Sequence, residues 1–194
     1  MNDAYKILFI SLVLIFSSVE YAQSQSFSKE SIPLIEEEVV FEHNFDRDLT
    51  QTRYFRLVYS YLNNGLDPYE GQFISVSEDS VVCSVTDYLE ISSTALSTFA
   101  MYIAYDISFY FDDGECNMII DNIKFMEKSS YEAQEKTIRD LGIRKYSAKD
   151  IMIDEEYRSI FVRGGSEKIT EATIDMFNNI VSELDYLLIR DVVR

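Results

Sequence analysis

The sequence predicts an α+β fold: a curved antiparallel β-sheet with helices packed on one face, plus a C-terminal helix. Two observations lead to it. The stretch from Phe99 to Met126 alternates apolar and mixed residues around Asp113-Gly114, which is the pattern of a long β-hairpin. Residues near 50–62 and 167–189 instead carry apolar stripes at helical spacing, so each must bury one side against another layer.

The elements follow in chain order. Lys6 precedes an apolar run from Ile7 to Phe16, of signal-peptide length and too short to span a bilayer. Ala22-Gln23-Ser24 places small residues at the −3 and −1 positions of a cleavage site, so residues 1–24 are expected to be a cleaved export signal, the alternative being an uncleaved N-terminal anchor. No cysteine follows the run to receive a lipid. Residues 25–35 are polar and contain Pro33, and read as a linker. Ser26 and Lys29 have the Ser-x-x-Lys spacing of penicillin-binding enzymes but lack the partner motifs, and we read the match as coincidence. A single domain is expected over residues 36–190.

Glu36 to Phe45 is expected as the first strand, with Val39, Phe41, His43 and Phe45 on one face. His43 is the sole histidine and lies between two phenylalanines, so it reads as a structural residue. Asp48 or Thr50 caps a helix reaching Leu62, ended by Asn63-Asn64-Gly65. Asp67-Pro68-Tyr69 is a turn and Gln72 to Ser77 a short edge segment. Ser80 to Leu89 is the next strand, with Val81, Cys83 and Val85 on one face.

In the central hairpin, Phe99, Met101, Ile103, Tyr105, Ile107, Phe109 and Phe111 form an apolar face. A two-residue Asp113-Gly114 turn pairs Asp112 with Glu115, Phe111 with Cys116, Phe109 with Met118 and Ile107 with Ile120. A three-residue turn would bring Asn117 to the core face and ranks second. The phase slips at Asp121-Asn122, where one extra residue, a β-bulge, restores it for Ile123 and Phe125. Cys83 and Cys116 then lie two strand spacings apart, about 9.5 Å, beyond disulfide reach. Two free thiols are expected.

Ser129 to Glu132 resembles a capping box opening a helix that carries Tyr131, Ile138 and Leu141 and closes at Gly142. Lys145 to Val162 has no clear period; Ile151–Ile153 and Ser159–Val162 read as short strands or irregular packing. Gly164-Gly165-Ser166 lacks the lysine and spacing of a P-loop, so Ser166 is expected to cap the last helix, about Glu167 to Ile189. Its stripe is Ile169, Thr173, Met176, Phe177, Ile180, Leu184, Leu187 and Leu188.

The strand Val39-Val40-Phe41-Glu42-His43-Asn44-Phe45, the helix around Tyr54–Leu62, the Asp113-Gly114 hairpin and the slip at Asp121-Asn122-Ile123 together resemble a family of exported Bacteroidetes domains of unknown function. The resemblance covers residues 38–125, with 129–190 as a C-terminal helical extension. It implies a TATA-binding-protein-like (TBP-like) fold and no established activity or catalytic residues.

Charge narrows the function. Removing residues 1–24 takes one lysine and two acids from the 17 basic and 34 acidic residues, leaving 16 and 32, a net charge of −16. That field disfavours phosphate backbones and anionic membranes and suits basic partners. No nucleic-acid partner, no cofactor, no metal and no transmembrane segment after cleavage are expected. Acidic clusters at Glu36–Glu38, at Asp112, Asp113 and Glu115, and at Asp154–Glu156 lack calcium-loop spacing. Asp106 and Asp121 face each other across the hairpin in the favoured register, an unfavourable pairing of like charges. With Tyr102, Tyr110 and Ile119 they mark the second hairpin face, either a partner-contact surface or a patch covered by the chain's own C-terminal segment. The expectation is an exported, periplasmic or extracellular, non-enzymatic binding or accessory domain whose partner is an unidentified envelope protein or ligand. The alternative is a small envelope hydrolase using acidic residues.

Overall fold

The computed structural model describes residues 27–64, 66, 70–93, 98–135, 144–157 and 164–192. The expected export signal, Ser26, Gly65, Ile138, Leu141, Gly142, the turn at Asp67-Pro68-Tyr69 and the segment Ser159–Val162 lie outside them.

The main sheet has six antiparallel strands. β3 (Phe41–Asp46), β7 (Glu115–Glu127), β6 (Thr98–Asp112), β5 (Ser80–Ser93) and β4 (Glu70–Val76) lie in that spatial order, and β8 (Lys145–Ser147) also pairs with β7. A small hairpin of β1 (Leu34–Ile35) and β2 (Glu38–Val39) precedes it. The helices are α1 (Gln51–Asn64), α2 (Lys128–Glu135) and α3 (Gly165–Val192), with a π-helical turn at Lys149–Ile153.

The β6–β7 register is the two-residue-turn register. Asp112 pairs with Glu115, Phe111 with Cys116, Phe109 with Met118 and Ile107 with Ile120. Gly114 takes φ +87°, a region that glycine enters without the steric cost other residues meet. The bulge is also in place. Ala104 pairs with Lys124 and Asp106 with Asp121, so Asn122 and Ile123 together stand opposite Tyr105. Asn122 absorbs the extra residue at φ +51°, and Ile123 and Phe125 return to the core.

The hairpin turn also positions α1. The Asp113 carboxylate accepts from the Gln51 N–H at 3.2 Å, capping the helix from outside. Gly114 N–H donates to Leu49 O at 3.0 Å, and Arg47 N–H donates to Gly114 O. The buried Tyr54 hydroxyl lies 3.0 Å from Phe45 O and 3.2 Å from Gly114 O, and accepts from Arg47 N–H at 2.8 Å.

α1 and α3 pack on the same sheet face. Phe177 of α3 meets Phe41 and Tyr105 edge to face, with centroids 5.3 and 5.2 Å away. Phe55 of α1 meets Phe111. The α3 stripe is core as expected: Ile169, Thr173, Phe177, Ile180, Leu184 and Leu188 are buried. Ion pairs join its outer side to α1 and the loop before it, Arg47 to Asp185 and Arg53 to Asp191. Cys83 and Cys116 sit on β5 and β7 with β6 between them, both free and buried; burial pushes their thiols up, to about 11 and about 12.

Four expectations are corrected. Residues 27–35 are not a linker along their length. Phe27 is buried against Phe41, and the Asn178 amide bonds both its N–H and its carbonyl at 3.0 Å. A lone phenylalanine among polar residues has no period by which to announce itself. The first strand is broken: Glu36 and Glu37 adopt positive φ and turn β1 into β2. Ser129 lies inside the first turn of α2, which starts directly from the end of β7. Ser166 does not cap α3. The helix begins at Gly165, and the buried Ser166 Oγ accepts from Tyr157 N–H at 3.2 Å, tying down the incoming chain. A Cβ on Gly165 would lie 2.9 Å from the Tyr157 ring, so glycine permits that approach.

Candidate functional site

The second sheet face is the one α1 and α3 leave uncovered. Register fixes its rows. Ser84, Asp106 and Asp121 lie side by side across β5, β6 and β7; the next row is Val82, Ser108, Ile119 and Glu42; the next is Ser80, Tyr110, Asn117 and Asn44. Tyr110 is 48% exposed, and Asp106, Asp121, Val82 and Ile119 are half-buried.

Tyr102 does not lie open with them. It is 3% exposed, because Tyr131 of α2 stacks on it at a centroid distance of 4.1 Å. Lys128, at the start of α2, donates to the hydroxyl of Tyr88, the cross-strand neighbour of Tyr102. The face is therefore divided. Its Tyr88–Tyr102–Met126 end lies under α2, and among the described residues its Asp106–Tyr110 end is open. Helices thus pack on both faces, with the two long ones on one side.

The bulge builds the polar centre of the open end. Asn122, turned by its left-handed backbone, donates from Nδ2 to Asp106 Oδ2 at 2.9 Å. Its Oδ1 accepts from Lys124 Nζ at 2.6 Å. The Asp121 carboxyl is raised above the usual carboxylate range, first by burial, then by Asp106 opposite and Glu38 of β2. Two facing carboxylates, one with an amide donor and the other partly desolvated, form a site that favours either a proton or a cation between them. Sequence reasoning does not find Glu38, Asn122 and Lys124 as members. Asn122 carries a signal, since asparagine at a phase slip tolerates the left-handed backbone a bulge can require.

The other marked residues are placed elsewhere. His43 is half-buried, with Phe45 at 4.5 Å and Phe27 at 6.5 Å, and burial lowers its pKa. Glu37 pairs with Lys149, and Asp113 caps α1. Asp154, Glu155 and Glu156 are exposed. Among the described residues, no three His, Cys, Asp or Glu side chains are grouped to hold a metal ion, and no helix is long and apolar enough to cross a membrane. Apart from this face, a groove of about 460 Å³ runs between β5 and α3, lined by Asp87, Glu90, Lys168, Glu171 and Asp175 among others.

No family model and no curated protein matches this sequence. Solved structures do. A DUF4468 family protein from Bacteroides ovatus superposes with a TM-score of 0.66 at 16% identity, over 81% of this chain and 90% of that one. A TBP-like protein from Parabacteroides distasonis gives 0.60 at 14% identity, over 81% and 96%.

The fold is TBP-like. At these identities the likeness speaks for architecture, and it bears out the expected resemblance to Bacteroidetes domains of unknown function at that level. In this TBP-like domain the uncovered sheet face carries paired carboxylates at its centre.

Proposed function

We propose that this TBP-like domain is an exported binding or accessory domain of the cell envelope, and that the open end of its sheet is the contact surface. The carrying observation is that Asp106, Tyr110, Ile119 and Asp121 share a sheet face that α1 and α3 do not cover. Half-buried apolar residues beside an exposed tyrosine have the composition of the centre of a protein contact. Export is supported by the apolar run Ile7–Phe16 and the small residues Ala22 and Ser24.

The test replaces Tyr110 and Ile119 by Ala and compares capture from an envelope extract with that of the parent and of Tyr186→Ala, a change on the outer side of α3. The reading expects one partner to be lost with the face variant alone. Unchanged capture would contradict it. Export is read from the protein's N-terminus, expected at Gln25 in the periplasmic or extracellular fraction. Full-length protein confined to the cytoplasm would contradict that part.

A further inference from the structure

We infer that the occupant of the open face is a basic polypeptide segment, lying across the strands with its apolar side chains on the Val82–Ile119 row and a Lys or Arg between Asp106 and Asp121. The inference rests on the reading above and adds the chemistry of the partner.

The first ground is charge. The open end carries Glu42 and Asp46 on β3, Asp106 on β6 and Asp121 on β7, with Glu70 of β4 beside Thr86 one row further; among the described residues Lys124 and Lys149 stand near them, the first donating to Asn122 and the second paired with Glu37. A surface with so one-sided a balance is complementary to a cationic partner and repels an acidic one.

The second ground is the order of the rows. Val82, Ser108 and Ile119 form a strip that is apolar at both ends and has a small residue in the middle. Asp106 and Asp121 form the adjoining row, two residues along the strands, about 7 Å away. An extended segment seated on the apolar strip brings an alternate long basic side chain within reach of both carboxylates. A cation there would relieve a like-charge pairing that the free protein carries.

The third ground is spread. Glu42 on β3 stands at the end of the Val82–Ile119 row, and Asp121 and Asp106 flank it on β7 and β6, a spread of two strand spacings or roughly 10 Å. A small amine would meet only one or two of them, whereas a peptide spans the width.

The experiment titrates the full chain with a peptide of about 12 residues alternating Arg and Val, long enough at ~3.4 Å per residue to cross the sheet. Counterparts carry Glu or Ser in place of Arg. Affinity is measured by fluorescence anisotropy, and the contacted residues are mapped by backbone amide shifts. The inference expects the Arg peptide to perturb Ser108, Ile119 and Asp121, and to bind about tenfold more weakly to D106N/D121N. That variant removes a repulsion, so its folding is not at risk, and its thermal midpoint is recorded alongside. E171Q/D175N, in the β5–α3 groove, is expected to bind as the parent does. Equal affinity in D106N/D121N, or loss confined to the groove variant, would overturn the inference. If the Ser or Glu peptide perturbs the face and the Arg peptide does not, the face remains a docking surface and its occupant is not basic. If the Tyr110/Ile119 variant still captures every envelope partner, it is the underlying reading that fails.

Discussion

At the residue scale, Asp121 is the group on which the open face depends. Its carboxyl is raised in the folded protein, first by burial and then by Asp106 and Glu38. The folded state therefore holds a proton that the unfolded chain has already released, so stability is greatest below the ordinary aspartate value of 3.8 and is lost as pH rises through the raised one. Asp121→Asn removes this loss. The variant is expected to gain about 0.5 kcal/mol at neutral pH, an advantage that grows through that window and disappears in acid. Urea midpoints measured from acid to neutral pH check it; a variant less stable than the parent at neutral pH would show that Asp121 makes a favourable contact instead. The facing of Asp106 and Asp121 is legible in the sequence because a two-residue turn and a period of two fix every pair along a hairpin. The burial of Tyr102 is not, since it depends on Tyr131, which arrives from a helix after the end of the next strand. Glu38 is hidden for the same reason: it approaches Asp121 only through the fold.

At the element scale, the β6–β7 hairpin orders what surrounds it. Its turn pairs with the loop ahead of α1, supplies the Asp113 cap and brings Gly114 O within reach of Tyr54. Gly114→Ala separates backbone conformation from packing, because a Cβ there meets nothing within 4 Å while φ stays at +87°. The substitution is expected to cost about 1 kcal/mol of stability through conformational strain. An unchanged urea midpoint would mean the turn adopts another geometry. Strong alternation makes this hairpin and the α3 stripe readable from residues alone. The ends of elements are less so. Ser129 and Ser166 both look like helix caps, yet one falls inside a helix and the other serves Tyr157 N–H, because chain entry and packing decide which polar groups need a partner.

At the scale of the whole molecule, one hydrophobic core runs from Phe27 to Leu188 between the sheet and α1 with α3. The same strands that bury that side hold the other face open over its Asp106–Tyr110 end, while α2 closes the rest. The fold class and the strand order separating Cys83 from Cys116 are readable in the residues, since each follows from alternation and turn chemistry. The division of the second face is not, because α2 is short and carries no period that says which side it will take. The central claim is that the open end is where this domain meets its partner. Site-specific photocrosslinking in the exporting cell tests it most directly, with the reactive group placed in turn at Ile119, at Tyr110 and at Tyr186 on the outer side of α3. The expected result is one dominant crosslinked species shared by positions 119 and 110 and absent at 186. Crosslinks at 186 alone, or none at the sheet positions, would contradict the claim.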